Sequence, residues 1–163
     1  MKAVKEIMKT PAKSVVKSET IQSAAKTMYK SNIGFLPVVD ENEKVVGTIT
    51  DRDIALAIGK NSKPSQEIKV HEVMNSTIHT IKAEDDTAAA LKLMRTKQVG
   101  RLPVVDSENR LKGIVSLMGI ARTVKNDAKK EEVEYEGTEN ILNTLHSLAE
   151  RNQKAEVVEE AAE

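Results

Sequence analysis

The sequence predicts an α/β protein built from two tandem β-α-β-β-α repeats packed as a pseudo-twofold pair, with a further helix at the C-terminal end. Three observations predict it. Residues 4–56 lie over residues 70–122 at a constant offset of 66 with no gap, giving 15 identities in 53 positions, most of them apolar residues, Gly or Pro. Within each copy, apolar residues recur first at helical spacing and then in two short β-branched runs. Beyond residue 126 the pattern gives way to a charged tail with one more amphipathic stripe. A fixed period of this length marks two copies of one supersecondary unit, neither of which buries its hydrophobic face alone. The copies should therefore pack on each other, and the seam between such halves is a preferred place for a small ligand. The expected divisions are residues 1–64, residues 65–126 and a tail, 127–163, with a helix over about 138–152.

Each repeat opens on a short helical lead-in, Val4 to Met8 and Val70 to Met74, followed by brief extended stretches at Ser14-Val15-Val16 and His79-Thr80-Ile81. Ile21, Ala24, Ala25 and Met28 then fall at i, i+3, i+4 and i+7, the apolar stripe of an amphipathic helix, and Thr87, Ala90, Leu91 and Met94 repeat it. Two strands follow around a polar turn, Phe35–Val39 and Val45–Ile49, matched by Arg101–Val105 and Leu111–Val115. Pro37 and Pro103 cannot donate to a ladder, which places them at an edge, a strand start or a bulge. A second helix closes each repeat, with Ile54, Ala55 and Ile58 answered by Ile120, Ala121 and Val124.

In the tail, Lys129 to Glu136 is a mixed charge run punctuated by Gly137. From Thr138 onward Ile141, Leu142, Leu145, Leu148 and Ala149 form one stripe, expected to dock on the chain's own repeats or else on a partner or second subunit, because so short a helix is marginal alone. Residues Ala155 to Glu163 are expected to fray.

Composition bounds the function. The chain has 163 residues, no cysteine and formal net charge +0. That balance divides unevenly, with 20 Lys/Arg against 14 Asp/Glu in residues 1–122 and 5 against 11 in residues 123–163. A basic excess of this size is thin for duplex DNA, so no nucleic-acid partner is expected. No apolar run is long enough for a membrane span or secretory signal, so the expectation is a cytoplasmic protein with no membrane partner. The three histidines, His71, His79 and His146, are scattered, and no metal site is expected. The seven glycines make neither a phosphate loop nor a dinucleotide fingerprint. Nothing sets a nucleophile on an elbow beside a base, so the chain reads as non-enzymatic, with no catalytic residues.

The order V-x-x-[IV]-M, A-x-x-x-M, G-x-L-P-V-V-D and G-x-[IV]-[ST], occurring twice over residues 1 to about 126, resembles the cystathionine-β-synthase (CBS) domain. Two in tandem resemble a Bateman module. The resemblance implies α/β units whose cleft between repeats binds an adenosine derivative, AMP, ADP or ATP ahead of S-adenosylmethionine. It also implies a regulatory role, often as a homodimer or joined to a regulated protein, here unidentified.

The resemblance further implies that G-x-x-[ST]-x-x-D, here Gly47, Thr50 and Asp53, sets a hydroxyl near the ribose-phosphate and a carboxylate on the ribose hydroxyls. An ionised carboxylate offers two strong acceptors to a vicinal diol, and the helix start at Asp51 turns N–H groups toward an anion. Thr50 and Asp53 also fit a capping box, although Asp is short for its return reach. In the second copy Ser116 keeps the hydroxyl while Gly119 replaces the acid. One competent site anchored by Asp53 is therefore expected. Arg101, at a position where related modules place a phosphate-binding residue, is the first phosphate candidate and Arg52 the second. With few aromatics, adenine is expected against aliphatic and backbone groups around Pro11, Ala12, Val16, Phe35, Leu36 and Pro37. The alternative function is a ligand-independent dimerisation or protein-interaction module.

Overall fold

The computed structural model describes residues 2–128 and 136–160. In chain order the elements are α1 (Val4–Ile7), β1 (Val15–Val16), α2 (Ile21–Ser31), β2 (Phe35–Val39), β3 (Val45–Thr50) and α3 (Asp51–Lys60). A single 3₁₀ turn (Val70–Glu72) leads to β4 (Ile81–Lys82), α4 (Thr87–Lys97), β5 (Arg101–Val105), β6 (Leu111–Ser116), α5 (Leu117–Ala128) and α6 (Glu136–Glu160). The strands form two three-stranded sheets, β1-β2-β3 and β4-β5-β6. The mixed α/β architecture with a final helix is the one the repeat predicts.

The chain divides into two compact units whose boundaries exchange segments between the repeats. One comprises Pro11–Ile78 with Val105–Lys112; the other comprises Met1–Thr10, His79–Val104 and Gly113–Glu163.

In the first-repeat unit, the stripe of α2 buries Ile21, Ala24 and Met28 against Leu36, Val38 and Ile49 of the sheet and Ile54 of α3. Leu36 and Ile49 are fully buried, each contributing about 1.5–3 kcal/mol relative to an exposed side chain. The Thr20 hydroxyl caps α2 by accepting from the Ser23 N–H at 3.2 Å, and Asn32 ends the helix at φ 49°. The lead-in of the second copy adds to the outside of β3. There Thr48 and Asn75 exchange N–H···O=C bonds of 3.0 and 2.9 Å. Gly47 makes room for it, because a Cβ there would stand 2.7 Å from the Met74 sulfur and 3.0 Å from the Asn75 carbonyl.

Pro37 occupies the middle strand of its sheet, but β1 pairs with β2 only at Val38 and Val39. At Pro37 the strand therefore has one ladder neighbour, Thr48 of β3, and the register shifts just beyond, between Val38 and Val39. The missing N–H falls where no partner strand has begun.

The second-repeat unit mirrors this arrangement with the first lead-in. The Val4 and Lys5 N–H groups donate to the Asp85 and Ala83 carbonyls at 2.8 and 2.9 Å. Lys9 and Ile114 exchange bonds, and a Cβ on Gly113 would meet the Met8 sulfur at 2.7 Å. Its core gathers Val4, Ala90, Leu91, Met94, Leu102, Val115 and Ile120, with Ile141 of α6 packed in.

The tail departs from expectation in three ways. Helix α6 runs from Glu136 to Glu160, so Gly137 lies inside it and the helix continues through Ala155–Glu160; residues 129–135 and 161–163 lie outside the described residues. The helix docks on its own unit, as expected, but through a different stripe. Ile141 and Thr144 are buried and Leu148 half-buried, whereas Leu142 and Leu145 face solvent. Thr144 can be buried because its hydroxyl donates to the Asn140 carbonyl one turn back at 2.7 Å. In α3, Ile54 and Ala57 are the buried positions, while Ala55 and Ile58 are exposed.

Candidate functional site

The site centres on the junction of β3 and α3. Thr50 ends the strand in extended conformation, φ −115° and ψ 165°, and serves as N-cap of α3. Its hydroxyl accepts from the Asp53 N–H at 3.1 Å. The Asp53 carboxylate returns the bond, Oδ2 accepting from the Thr50 N–H at 2.8 Å and from the Thr50 hydroxyl at 2.6 Å. The capping box is thus closed, and Asp is not too short for the return reach: the hydroxyl and backbone N–H of one residue converge on a single carboxylate oxygen. Asp53 is half-buried, and Oδ1 takes neither bond.

Asp51, on which the sequence reading placed no role beyond the helix start, shapes the same junction. Its N–H donates to the Gly34 carbonyl at 3.3 Å, tying the start of α3 to the turn before β2. Its carboxylate accepts from the Arg52 N–H at 2.8 Å and lies over Gly34, where any Cβ would collide with it. The signal was present in the sequence as a glycine shared by both copies, read there as part of a motif. Two carboxylates, Asp51 and Asp53, thus stand in the first turn of α3, where the helix dipole stabilises negative charge.

Of the remaining candidates, Phe35 is the ladder partner of Thr50 and is half-buried, so the structure brings these two together. Arg52 is exposed on the first turn of α3. Leu36 and Pro37 are buried, Leu36 within the core, so the packing role prevails for their side chains. Val16 pairs at the level of Val39, the opposite end of β2 from Phe35, roughly 13 Å away at about 3.3 Å per residue. The structure does not bring Val16 to Thr50. Ala12 is half-buried and Pro11 exposed, both ahead of the first residue of β1.

Arg101 and Ser116 belong to the second-repeat unit. The Leu117 N–H donates to the Gly100 carbonyl at 3.0 Å, joining the Arg101 end of β5 to the Ser116 end of β6. Ser116 caps α5, its hydroxyl accepting from the Gly119 N–H at 3.0 Å, with no acid to close a box. Arg101 is exposed and engaged with other groups of the protein. The two junctions therefore share a backbone frame and differ in chemistry, one carrying two carboxylates and the other Leu117 and Gly119.

The resolved electrostatic perturbations lie in the strand turns. The Lys44 N–H bond holds the Asp40 carboxyl below its usual range, and the Arg110 N–H bond does the same for Asp106. Among the described residues, no group of three or more His, Asp or Glu is placed to hold a metal ion, and no helix is long and apolar enough to cross a membrane.

A duplicated β-α-β-β-α unit with a capped strand-to-helix junction in each copy defines a tandem α/β repeat pair, and comparison with known proteins places it. A family profile described as the CBS domain matches residues 4–60 and 70–126, and the chain belongs to the CBS domain family. It is 38% identical over 121 residues to the CBS domain-containing protein YhcV of Bacillus subtilis, covering 74% of this chain and 84% of that protein. It is also 38% identical over 128 residues to inosine-5'-monophosphate dehydrogenase of Methanocaldococcus jannaschii, covering 77% of this chain. The chain spans about a quarter of that enzyme's length (25%). Among solved structures, the CBS domain pair of protein MJ0100, in complex with 5'-methylthioadenosine and S-adenosyl-L-methionine, superposes with TM-score 0.70 at 32% identity, covering 78% of this chain and 98% of that one.

Proposed function

We propose that this protein is a non-catalytic regulatory module that binds an adenosine derivative at the Thr50–Asp53 junction and passes occupancy on to a partner protein. The observation that carries the reading is the Asp53 carboxylate. One oxygen is fixed by Thr50 and the other takes neither of those bonds, the arrangement a vicinal diol needs from a pre-oriented acceptor. Fixing Oδ2 removes rotamer freedom before a ligand arrives, which lowers the cost of binding. Phe35, beside Thr50, supplies an apolar wall for a purine, and Arg52 stands on the same helical turn to meet a phosphate.

The adenosine ligands of the MJ0100 domain pair support the class of ligand. AMP, ADP and ATP are the nucleotides that Arg52 favours, while S-adenosylmethionine would use the nucleoside contacts alone. The partner is an enzyme or other effector, either linked to this module or separate. The dehydrogenase, in which the matched segment is a minor part of the chain, supports that reading.

Thermal unfolding with AMP, ADP, ATP and S-adenosylmethionine tests it, for the wild type and for Asp53→Ala. A ligand at 100 times its Kd stabilises the folded state by about 2.7 kcal/mol. A melting temperature unmoved by all four, or moved equally in Asp53→Ala, overturns the site.

A second reading has its own support. Asp53 closes a capping box and is structurally useful without any ligand. On that reading the module is a ligand-independent interaction domain, and the same melts return no shift.

A further inference from the structure

The two repeats carry equivalent helix faces, and α6 covers the one on the second-repeat unit, lying across α4 and α5. Its Thr144 and Ser147 hydroxyls reach the Leu91 and Arg95 carbonyls at 3.5 and 3.3 Å, and a Leu148 methyl stands 3.9 Å from where a Cβ on Gly100 would be. Shifting that seat back by 66 residues turns Leu91, Arg95 and Gly100 into Ala25, Tyr29 and Gly34. These three line an open cavity of about 560 Å³ between α2 and α3 of the first-repeat unit, with Ala55 and Ile58 exposed in its wall. The two seats differ in charge. The covered one has Leu117, which is buried, where the open one has Asp51, which is exposed and lays its carboxylate over Gly34. Among the described residues that line the cavity, Asp51 alone is charged.

We propose that the α2–α3 groove receives an amphipathic helix of the regulated partner protein, seated as α6 is on the second repeat and carrying Lys or Arg where α6 has Leu148. The proposal rests on the partner-protein part of the reading above and adds the surface and the chemistry of the contact; it does not need the nucleoside site. The seat of α6 shows what this frame accepts: an apolar residue entering the core, small hydroxyl residues that let the backbones approach, and a long side chain over the glycine. In the open groove Ala25 replaces Leu91, which deepens the floor for the entering apolar residue. At the Gly34 end a leucine would strip water from the Asp51 carboxylate without replacing it, which is costly. A Lys or Arg lays its methylene stem along the glycine and brings its charge to the carboxylate. Tyr29, 89% exposed beside the groove, offers large apolar area with few rotamers to freeze, the character of an interface anchor.

The test titrates the full chain with two synthetic peptides and follows its backbone amides by NMR. Both peptides have the sequence of residues 136–152, held helical by a lactam between Glu139 and Asn143→Lys, positions exposed on α6; one keeps Leu148 and the other carries Leu148→Lys. The Leu148→Lys peptide should shift the Gly34, Ala55 and Ile58 amides saturably. It should bind about threefold tighter than the Leu148 peptide at low salt, the scale of one exposed ion pair, with the difference shrinking as salt is raised. Tyr29→Ala and, separately, Ala55→Arg should raise its Kd by at least about tenfold. Asp51→Leu, which installs the residue of the covered seat, should reverse the order of the two peptides. All three positions are exposed, so far-UV circular dichroism should match wild type. Peptides that shift no groove amide, that shift those around Leu91 and Gly100 instead, or whose order survives Asp51→Leu overturn the proposal. So does a groove already closed by a second copy, read by sedimentation velocity as a mass of two chains that Ala55→Arg reduces to one. The peptide titration contains no nucleotide, so its failure and a failure of the nucleotide melts are separate results.

Discussion

Asp53 accepts both the backbone N–H and the hydroxyl hydrogen of Thr50 on one carboxylate oxygen, at 2.8 and 2.6 Å. A single residue therefore holds the start of α3 and presents the acceptor proposed for a ribose. The two roles separate by substitution. Asp53→Ala removes both and should cost about 0.5–1 kcal/mol of stability, the scale of a capping contribution, as well as the ligand response. Asp53→Glu keeps the box, since Glu is the usual residue at that position, but moves the carboxylate outward by a methylene. Its unliganded melting temperature should stay near wild type while the shift with AMP or S-adenosylmethionine falls. A Glu variant that responds as fully as wild type would remove the diol role from this carboxylate.

Gly119 is the counterpart of Asp53, and Gly119→Asp tests the comparison from the other side. Ser116 already caps α5, so an acid at the third helical position can close a box there, while replacing Gly within a helix adds about 0.5–1 kcal/mol. The new Cβ would stand 3.1 Å from the Ser116 hydroxyl oxygen, a contact that a small rotation of that side chain relieves. Chemical denaturation should show a net gain in stability. A loss would mean that the second junction cannot accept the chemistry of the first.

Gly47 and Gly113 occupy matching positions of the repeated G-x-[IV]-[ST] pattern, and both make room for packing. Each leaves room for a methionine and a backbone carbonyl from a lead-in segment, Met74 with Asn75 and Met8 with Lys9. The sulfur can swing aside, whereas carbonyls at 3.0 and 3.1 Å cannot move without breaking the Thr48–Asn75 and Lys9–Ile114 pairs. Gly47→Ala and Gly113→Ala should each destabilise by about 1–3 kcal/mol, the usual cost of overpacking. Equal melting temperatures for wild type and both variants would show that the lead-ins yield.

These cases mark what the sequence makes legible. Helix stripes, strand runs and turn residues have local periods, so α2, β2, β3 and their counterparts could be read almost to the residue. The exchange of lead-ins could not, because a short apolar turn at Val4 or Val70 carries no record of which sheet it joins. Nor could the seat of α6 be read correctly. Leu142 and Leu145 outrank Thr144 on hydropathy, yet Thr144 is buried because its hydroxyl bonds to the helix's own backbone. At the site, Thr50 and Asp53 were picked out by their match to the family motif, while the contact of Asp51 with Gly34 depends on a turn whose geometry no motif encodes.

Ile141 measures how firmly α6 is held. It is 7% exposed and packs in the same cluster as Leu91 and Ile120. Ile141→Ala should therefore cost about 2 kcal/mol or more in chemical denaturation, at the lower end of buried Ile→Ala changes because the helix end can settle into the space. Leu142→Ala, on the exposed side, should cost under about 0.5 kcal/mol. Equal costs would contradict the observed seat.

The turns between paired strands supply a pH dependence whose sign is fixed. Oδ1 of Asp40 accepts the Asn42 and Lys44 N–H groups, each at 2.9 Å, and Oδ1 of Asp106 accepts those of Glu108 and Arg110 at 3.0 and 2.9 Å. The two turns also pair with each other, the Val45 N–H donating to the Asn109 carbonyl at 3.0 Å and the Leu111 N–H to that of Glu43 at 3.3 Å. The backbone bonds from Lys44 and Arg110 are the main reason both carboxyls lie below the usual aspartate range. A carboxyl depressed by folding adds stability above its unfolded pKa and loses it as pH falls through the folded value. The contribution should therefore be whole above about pH 4 and fade below it. Asn at both positions keeps an acceptor oxygen but cannot titrate, so Asp40→Asn/Asp106→Asn should start less stable than wild type near neutrality and approach it as the pH is lowered. Side-chain carboxyl titration by NMR should place both midpoints below the ordinary aspartate value of about 3.9. Midpoints at or above that value, or parallel stability curves for wild type and double variant, would show that the turn bonds do not discriminate between the charged and neutral acids.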